Sequence, residues 1–498
     1  MRIFGRWFVY AVLGSLSLFV LLNHYFDTGI SDRVQDLIHD EANDPLPPLK
    51  HDSIHDLWAH WNDVFLETKP DVPDIVLRGT APNLHVDQKG NATRTPFTEL
   101  VINYRRAVKS MRKSHARLEK ELGRLSDLST LFKGYGVALV AGDEFYGPAI
   151  TTIQMLRRSG CQLPVEVFVA NDDEYEKYVC DEFLPKLNAK CLIITDFMKT
   201  PGSQHPEIKR FQLKGLALLF TSFQHVLFLD SDSIPLMDPY QQLMKSEPYL
   251  SKGMIVWPDF WISTESPSFW SIAGLKSFPS DLPVTASETG QIMVNKGTHL
   301  KAVLLATYYN LWGPGHYYPL LSQGAVGQGD KETFMAAAVA QNLPYYRVKE
   351  RVRAVMNDDG EHTRGRAMLQ HHAGDDFANV KQFTDNYMIA EPRPVRPFFV
   401  HANIPKMNAG HLMDEGDIFS KGDGRKRWRL LGTKENQVKK FGMDLEAVLW
   451  ELMETTACEL ADKLEDWKRR PRLCERMHEH VEALIKGNVA GVKPVMIP

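Results

Sequence analysis

The apolar run Val226-Leu227-Phe228-Leu229 leads without a break into Asp230-Ser231-Asp232-Ser233-Ile234-Pro235. A short uninterrupted apolar run reads as a strand buried on both faces of a parallel sheet. Three comparable runs precede it, over residues 136–141, 165–170 and 191–195. Helical patterns over 147–158, 174–184 and 208–223 separate them. Strand alternating with helix in this way predicts an α/β sheet of mostly parallel strands. In open sheets of that kind ligands gather at the carboxyl ends of the strands, and Asp230 and Asp232 stand at such an end. Two carboxylates there can hold a hard divalent cation, which in turn can bridge a diphosphate. No Gly-x-Gly-x-x-Gly follows the first strand and no Walker loop occurs, which disfavours dinucleotide-dependent dehydrogenases and P-loop enzymes.

The N-terminal segment sets the expected compartment. Residues 7–26 contain no Asp, Glu, Lys or Arg. At about 1.5 Å per residue these twenty residues span about 30 Å, enough for a hydrocarbon core. Phe4, Trp7 and Phe8 mark one end and Tyr25 and Phe26 the other, as interfacial aromatic residues do. Arg2 and Arg6 precede the span, while Asp27, Asp32, Asp36, Asp40, Glu41 and Asp44 follow it. The positive-inside rule then puts 1–6 in the cytosol and the remainder in a lumen. No small-x-small site follows the apolar stretch, so an uncleaved type II anchor is expected rather than a signal peptide. The sequon Asn91-Ala92-Thr93 agrees with lumenal exposure.

Five cysteines are too few to staple a chain of 498 residues. Cys180 with Cys191 and Cys458 with Cys474 are the near-neighbour pairs an oxidising lumen could join; buried thiols are the alternative. A net charge of −4 gives no reason to expect nucleic acid. Residues 27–128 read as a stem, interrupted by Pro45, Pro47, Pro48, Pro70, Pro73 and Pro82. It carries a short helical patch near 54–65 and ends in a strongly basic helix over 100–128. That basic face is expected to be solvated, with Leu118, Leu122 and Leu125 packing inward. Two aromatic groups, Trp257, Phe260, Trp261, Phe269 and Trp270, then Tyr308, Tyr309, Trp312, Tyr317 and Tyr318, suit either sugar stacking or a core. Residues 421–498 are expected to form a helical region packed on the main domain, 129–420.

Four ordered motifs resemble one family: Lys214-Gly215-Leu216-Ala217-Leu218, Asp230-Ser231-Asp232, Glu288-Thr289-Gly290-Gln291 and Gly329-Asp330-Lys331-Glu332-Thr333. Together they are similar to the lumenal domain of the fungal Golgi α-mannosyltransferases that build mannan, glycosyltransferase family 71, over about 130–420. Within it the chain looks closest to the α-1,2-branching type, with the α-1,3 type as the near alternative. A catalytically silent Golgi scaffold subunit would be expected to lack these acids. The resemblance implies a GT-A-type nucleotide-binding sheet with flanking helices, Mn²⁺, GDP-mannose as donor and retention at the anomeric carbon. It also implies a mannan or N-glycan acceptor, attachment to the Golgi membrane through the anchor, and membership of a Golgi mannosyltransferase complex.

Site residues follow from motif and resemblance together. Asp230 and Asp232 are the expected metal ligands, with Asp230 also able to reach the ribose. His401, after the apolar run Phe398-Phe399-Val400, is the expected third ligand; His371 and His372 are the alternatives. Lys214 is expected near the phosphates, Ala141 and Gly142 near the base and ribose, and Asp172 or Asp173, ending the second strand, at ribose or base. Glu288, Asp330 and Gln291 are the expected sugar-side residues, with Glu288 either a nucleophile or a holder of the acceptor hydroxyl. Asp232 is expected to face the surface, so that its removal costs little stability.

Overall fold

The computed structural model describes residues 49–490, apart from 50, 86–95, 103, 126–130, 200–204, 207, 359–362, 386–392, 415–417, 419–426 and 486–488. The expected cytoplasmic tail, the anchor at 7–26 and the sequon at Asn91 lie outside the described residues. Among the described residues no helix is long and apolar enough to cross a membrane.

Four strands, β1 (Tyr135–Val140), β2 (Val165–Val169), β3 (Ala189–Ile193) and β4 (His225–Leu229), pair in parallel in the order β3-β2-β1-β4. All four were anticipated to within about two residues at their ends. The chain then leaves the sheet as β5 (Ser233–Pro235). Two long strands, β6 (Met254–Ile262) and β7 (Thr285–Asn295), and the two-residue β8 (Tyr346–Arg347) complete seven strands in the order β3-β2-β1-β4-β7-β6-β8. Both β4/β7 and β7/β6 are antiparallel and β6/β8 is parallel, so the sheet is mixed, with four of its six pairings parallel as expected. The register of β6 against β7 shifts between Ile255 and Trp257, where β7 carries the extra residues, and again between Pro258 and Ile262. A second sheet, in the order β5-β11-β10-β9, is built from β9 (Arg353–Asp358), β10 (Thr363–His371) and β11 (Pro397–His401) together with β5.

Both faces of the large sheet are covered. Leu227 and Leu229 of β4 point to one side, Val226 and Phe228 to the other, and all are 0–1% exposed. On the first side lie α3 (Tyr146–Arg158), the second sheet, and the C-terminal helices α7 (Leu445–Leu460) and α8 (Leu473–Ile485). On the second side lie α1 (Ile54–Glu67), α2 (Tyr104–Gly123), α4 (Leu213–Phe220), α5 (Lys296–Leu311) and α6 (Thr333–Ala340). All eight residues of α4 are buried, as an all-round apolar helix requires.

The stem reading needs correction from Leu49 onward. Leu57, Trp58, Trp61 and Phe65 of α1 are fully buried in the same core as Phe220 and Tyr308. Helix α2 follows the solvated-face expectation: Arg105, Arg106, Lys109, Arg112, Lys113, Arg117 and Lys120 are exposed while Leu118 and Leu122 are buried. The aromatic groups are mostly core, with Trp257, Phe269, Trp270, Tyr308, Tyr309 and Tyr317 at most 1% exposed. Both near-neighbour cysteine pairs, Cys180–Cys191 and Cys458–Cys474, are disulfides, and Cys161 is a buried thiol.

Candidate active site

The end of β4 is built by one tight turn. Asp230 extends the ladder by one bond, its N–H donating to Gly290 O at 2.8 Å. The Ser233 N–H then donates back to Asp230 O at 3.0 Å, which reverses the chain into β5. Antiparallel pairing of β5 with β11 sets Ser233 opposite His401, and the Ala402 N–H donates to Asp232 O at 2.9 Å. That register brings a histidine 169 residues away onto the Asp-x-Asp turn. One ligand atom each from Asp230, Asp232 and His401 lies within 4.8 Å of the others.

His401 spans two carboxylates, its Nε2 at 3.1 Å from Asp232 Oδ1 and its Nδ1 at 3.0 Å from Glu288 Oε1. Lys406 also donates to Asp232 Oδ2. Asp232 is 2% exposed, so the expectation of a surface-facing acid fails: the β5/β11 pairing folds over it. Burial works to raise its carboxyl, but His401 and Lys406 hold it well below the usual carboxylate range. Burial would likewise lower His401; Asp232 and Glu288 outweigh it and raise the imidazole well above its ordinary value. Asp230 keeps 31% of its side chain exposed. Enclosure of its carboxyl raises it above the usual range, against the pull of Lys214 and His401.

Lys214, in the first turn of α4, joins the two halves of the site. Its Nζ lies 3.0 Å from Asp230 Oδ1, 2.9 Å from Asp330 Oδ2 and 2.7 Å from Thr289 O. Despite burial, Asp230 and Asp330 raise its ammonium above the ordinary lysine range. Its helix is pinned from behind by Gln212, whose amide donates to Asn310 O and Leu311 O at 3.1 and 2.9 Å. Asp330 opens the single turn before α6, and Glu332 of that turn accepts from the Ser287 N–H of β7 at 2.7 Å. Gln291 is fully buried in β7, donating to Glu288 and accepting from Ser233 Oγ at 3.0 Å.

Asp230, Asp232, Lys214, Glu288, Gln291, Asp330 and His401 therefore form one connected cluster. Ala141 and Gly142 follow directly on β1, the strand beside β4. Asp172 stands exposed in the turn after β2, and it is Glu174 that reaches Gly142. A Cβ at Gly142 (φ +120°) would fall 2.1 Å from Glu174 Oε2, so both backbone conformation and space demand glycine there. His371 and His372 are buried elsewhere, against Trp257 and Asp375.

The donor set fits a hard divalent cation. Four carboxylates, Asp230, Asp232, Glu288 and Asp330, face two lysines, Lys214 and Lys406. The two negative charges left over match one such ion bound by Asp230, Asp232 and a neutral His401.

A family model described as "Mannosyltransferase putative" matches residues 134–283 and 275–372. Alpha-1,2-mannosyltransferase MNN2 of Saccharomyces cerevisiae is 31% identical, over 68% of this chain and 67% of its own length. The chain belongs to the fungal alpha-mannosyltransferase family. Alpha-1,2-mannosyltransferase MNN21 of Candida albicans is 33% identical over 75% of this chain. The chain spans 65% of that relative's length, and 63% of the length of MNN24 from the same organism. Among solved structures, the glycosyltransferase GlyE of Streptococcus pneumoniae superposes with a TM-score of 0.28 at 14% identity, covering 44% of this chain and 45% of its own. The galactosyltransferase LgtC does so with a TM-score of 0.27 at 10% identity, covering 42% and 72%.

In this family member four residues join the site that the motifs did not single out: Thr289, Lys406, Glu174 and Gln370, whose Nε2 donates to Glu288 Oε2 at 3.3 Å. Thr289 lay inside a quoted motif, but its contribution to Lys214 is mainly a carbonyl, which side-chain chemistry cannot advertise. Lys406 follows His401 by five residues, a spacing that becomes meaningful only once β11 is known to end at His401.

Proposed function

We propose that this chain is a metal-dependent α-1,2-mannosyltransferase that takes mannose from GDP-mannose with retention of configuration. Its acceptor would be a mannan or N-glycan outer chain, and it would work on the lumenal side of the Golgi membrane behind an N-terminal anchor. The observation that carries the reading is the convergence of Asp230, Asp232 and His401 at the end of β4 in a member of this family. The mixed sheet order agrees with a GT-A-type nucleotide-binding fold.

Asp230, Asp232 and His401 would hold Mn²⁺, whose charge would stabilise the diphosphate as it departs. Lys214 keeps Asp230 and Asp330 at fixed separation. Asp330 would meet mannose hydroxyls; Ala141 and Gly142, just after β1, and Asp172, in the turn after β2, would lie toward base and ribose. Overall, the bond from the anomeric carbon to the diphosphate oxygen breaks and one to the acceptor hydroxyl oxygen forms. The hydroxyl proton ends on the diphosphate.

The test is transfer by the full chain, in detergent, from radiolabelled GDP-mannose to an α-1,6-mannan, followed by linkage analysis. Transfer that requires Mn²⁺, is abolished by EDTA and yields α-1,2 branches is expected. An α-1,3 product would reassign the linkage. No turnover of any sugar nucleotide by demonstrably folded protein would leave a scaffold role instead.

A further inference from the structure

We infer that Glu288 is a positioning residue that fixes the His401 ring, and that it is not the nucleophile of the transfer; this rests on the metal-site reading above. A carboxylate has about four lone-pair directions. At Glu288 all four are filled. Oε1 accepts from the Gly290 N–H at 2.5 Å and from His401 Nδ1 at 3.0 Å. Oε2 accepts from Gln291 Nε2 at 2.5 Å and from Gln370 Nε2 at 3.3 Å.

None of those donors can swing away cheaply. Gln291 and Gln370 are both 0% exposed, and the Gln370 amide is also held by Pro258 O at 2.7 Å. Glu288 itself is 6% exposed. To attack an anomeric carbon it would have to uncover a lone pair by leaving a buried donor unpaired. Asp330 differs: one of its oxygens faces Lys214, and among the described residues no comparable set of donors surrounds its carboxylate.

The same contacts explain what the cage is for. Because Nδ1 donates its hydrogen to Glu288, the lone pair of a neutral ring lies on Nε2, the atom facing Asp232. A carboxylate behind a metal-binding imidazole orients the ring and sets its tautomer. Gly290 leaves the room: a Cβ there would lie 2.5 Å from His401 Nδ1.

The experiment compares the wild-type full chain in detergent with Glu288→Gln, Glu288→Ala and His401→Gln. Mn²⁺ binding is read by electron paramagnetic resonance of the free ion, and transfer is read across a range of Mn²⁺. Glu288→Gln is expected to weaken Mn²⁺ about 10–100-fold, with a loss of transfer that added Mn²⁺ reverses and that azide does not rescue. Unchanged Mn²⁺ affinity, with transfer down about a thousandfold or more at every Mn²⁺ concentration, would overturn the proposal. So would formation of mannosyl azide by Glu288→Ala. If the wild type binds no Mn²⁺, the metal reading fails separately, and metal-free protein then decides. A strongly downfield imidazole N–H proton, assigned by its loss in His401→Gln, should vanish in Glu288→Gln; its persistence there would overturn the role given to Glu288.

Discussion

A methyl group at position 290 would land 2.5 Å from His401 Nδ1 and 2.8 Å from Glu288 Oε1. Gly290→Ala therefore displaces the histidine without removing any functional group. It is expected to weaken Mn²⁺ binding by at least about tenfold and to cost about 1–3 kcal/mol of stability from overpacking. Calorimetric titration and urea unfolding check the two effects. Unchanged affinity would show that the ring is not held against β7 in solution. Asp232 makes the complementary case. Without it, buried His401 and half-exposed Lys406 lose their shared counter-charge. Breaking a buried ion pair costs about 3–5 kcal/mol, and the 36% exposure of the Lys406 side chain argues for the lower end. Asp232→Ala should thus lower the stability of metal-free protein by about 3 kcal/mol in urea unfolding with EDTA. A change below about 0.5 kcal/mol would mean that the acid faces water after all.

At the scale of elements, the loop that delivers β4 is locked by one buried acid. Glu166 of β2 is 0% exposed and accepts from Thr221 Oγ1 at 2.7 Å, Ser222 N at 2.9 Å and Ser222 Oγ at 2.6 Å. Lys190 adds an ion pair at 3.1 Å. Burial works to raise its carboxyl, but these donors hold it below the ordinary glutamate value. A depressed carboxyl stabilises the fold fully above its unfolded value of about 4.3 and loses that contribution as pH falls through the folded value. Glu166→Gln should therefore flatten the fall in melting temperature below about pH 5. Glu166→Ala should cost about 2–3 kcal/mol at neutral pH. A variant with the same acid limb as wild type would contradict this. The elements around this loop were legible because β1 and β4 carry continuous apolar stretches, β2 is broken only by Glu166, and Gly147-Pro148 marks the start of α3; helix α4, expected over 208–223, is the shorter Leu213–Phe220. Strands β6 and β7 were not: Pro258 interrupts one, and the aromatic residues flanking it have no period-two alternation. The Asp-x-Asp turn and His401 were readable as residue types at the ends of apolar runs, and Glu-Thr-Gly-Gln only as a motif of the family resembled. Their junction was not, since it depends on β5 and β11 pairing across the chain.

For the molecule as a whole, the described residues from Leu49 form a single compact unit. Removing Trp58, Trp61 and Phe65 together forfeits three fully buried aromatic side chains. Each large-to-Ala truncation costs about 3–5 kcal/mol, and a domain commands only about 5–15 kcal/mol. A chain beginning near residue 100 is therefore expected to aggregate or unfold, while one beginning at residue 49 should melt cooperatively. Equal melting curves for both would show that α1 is dispensable. Asp230 and Asp232 each rest in an ion pair, with Lys214 and with His401 and Lys406. The proposed function requires those pairs to open to a cation. Anomalous diffraction at the manganese edge, from crystals soaked with Mn²⁺ and GDP, tests this most directly. The account predicts one peak bonded to Asp230, Asp232 and His401, with the diphosphate on its far side; no peak there, with all three side chains still paired as they are now, would contradict it.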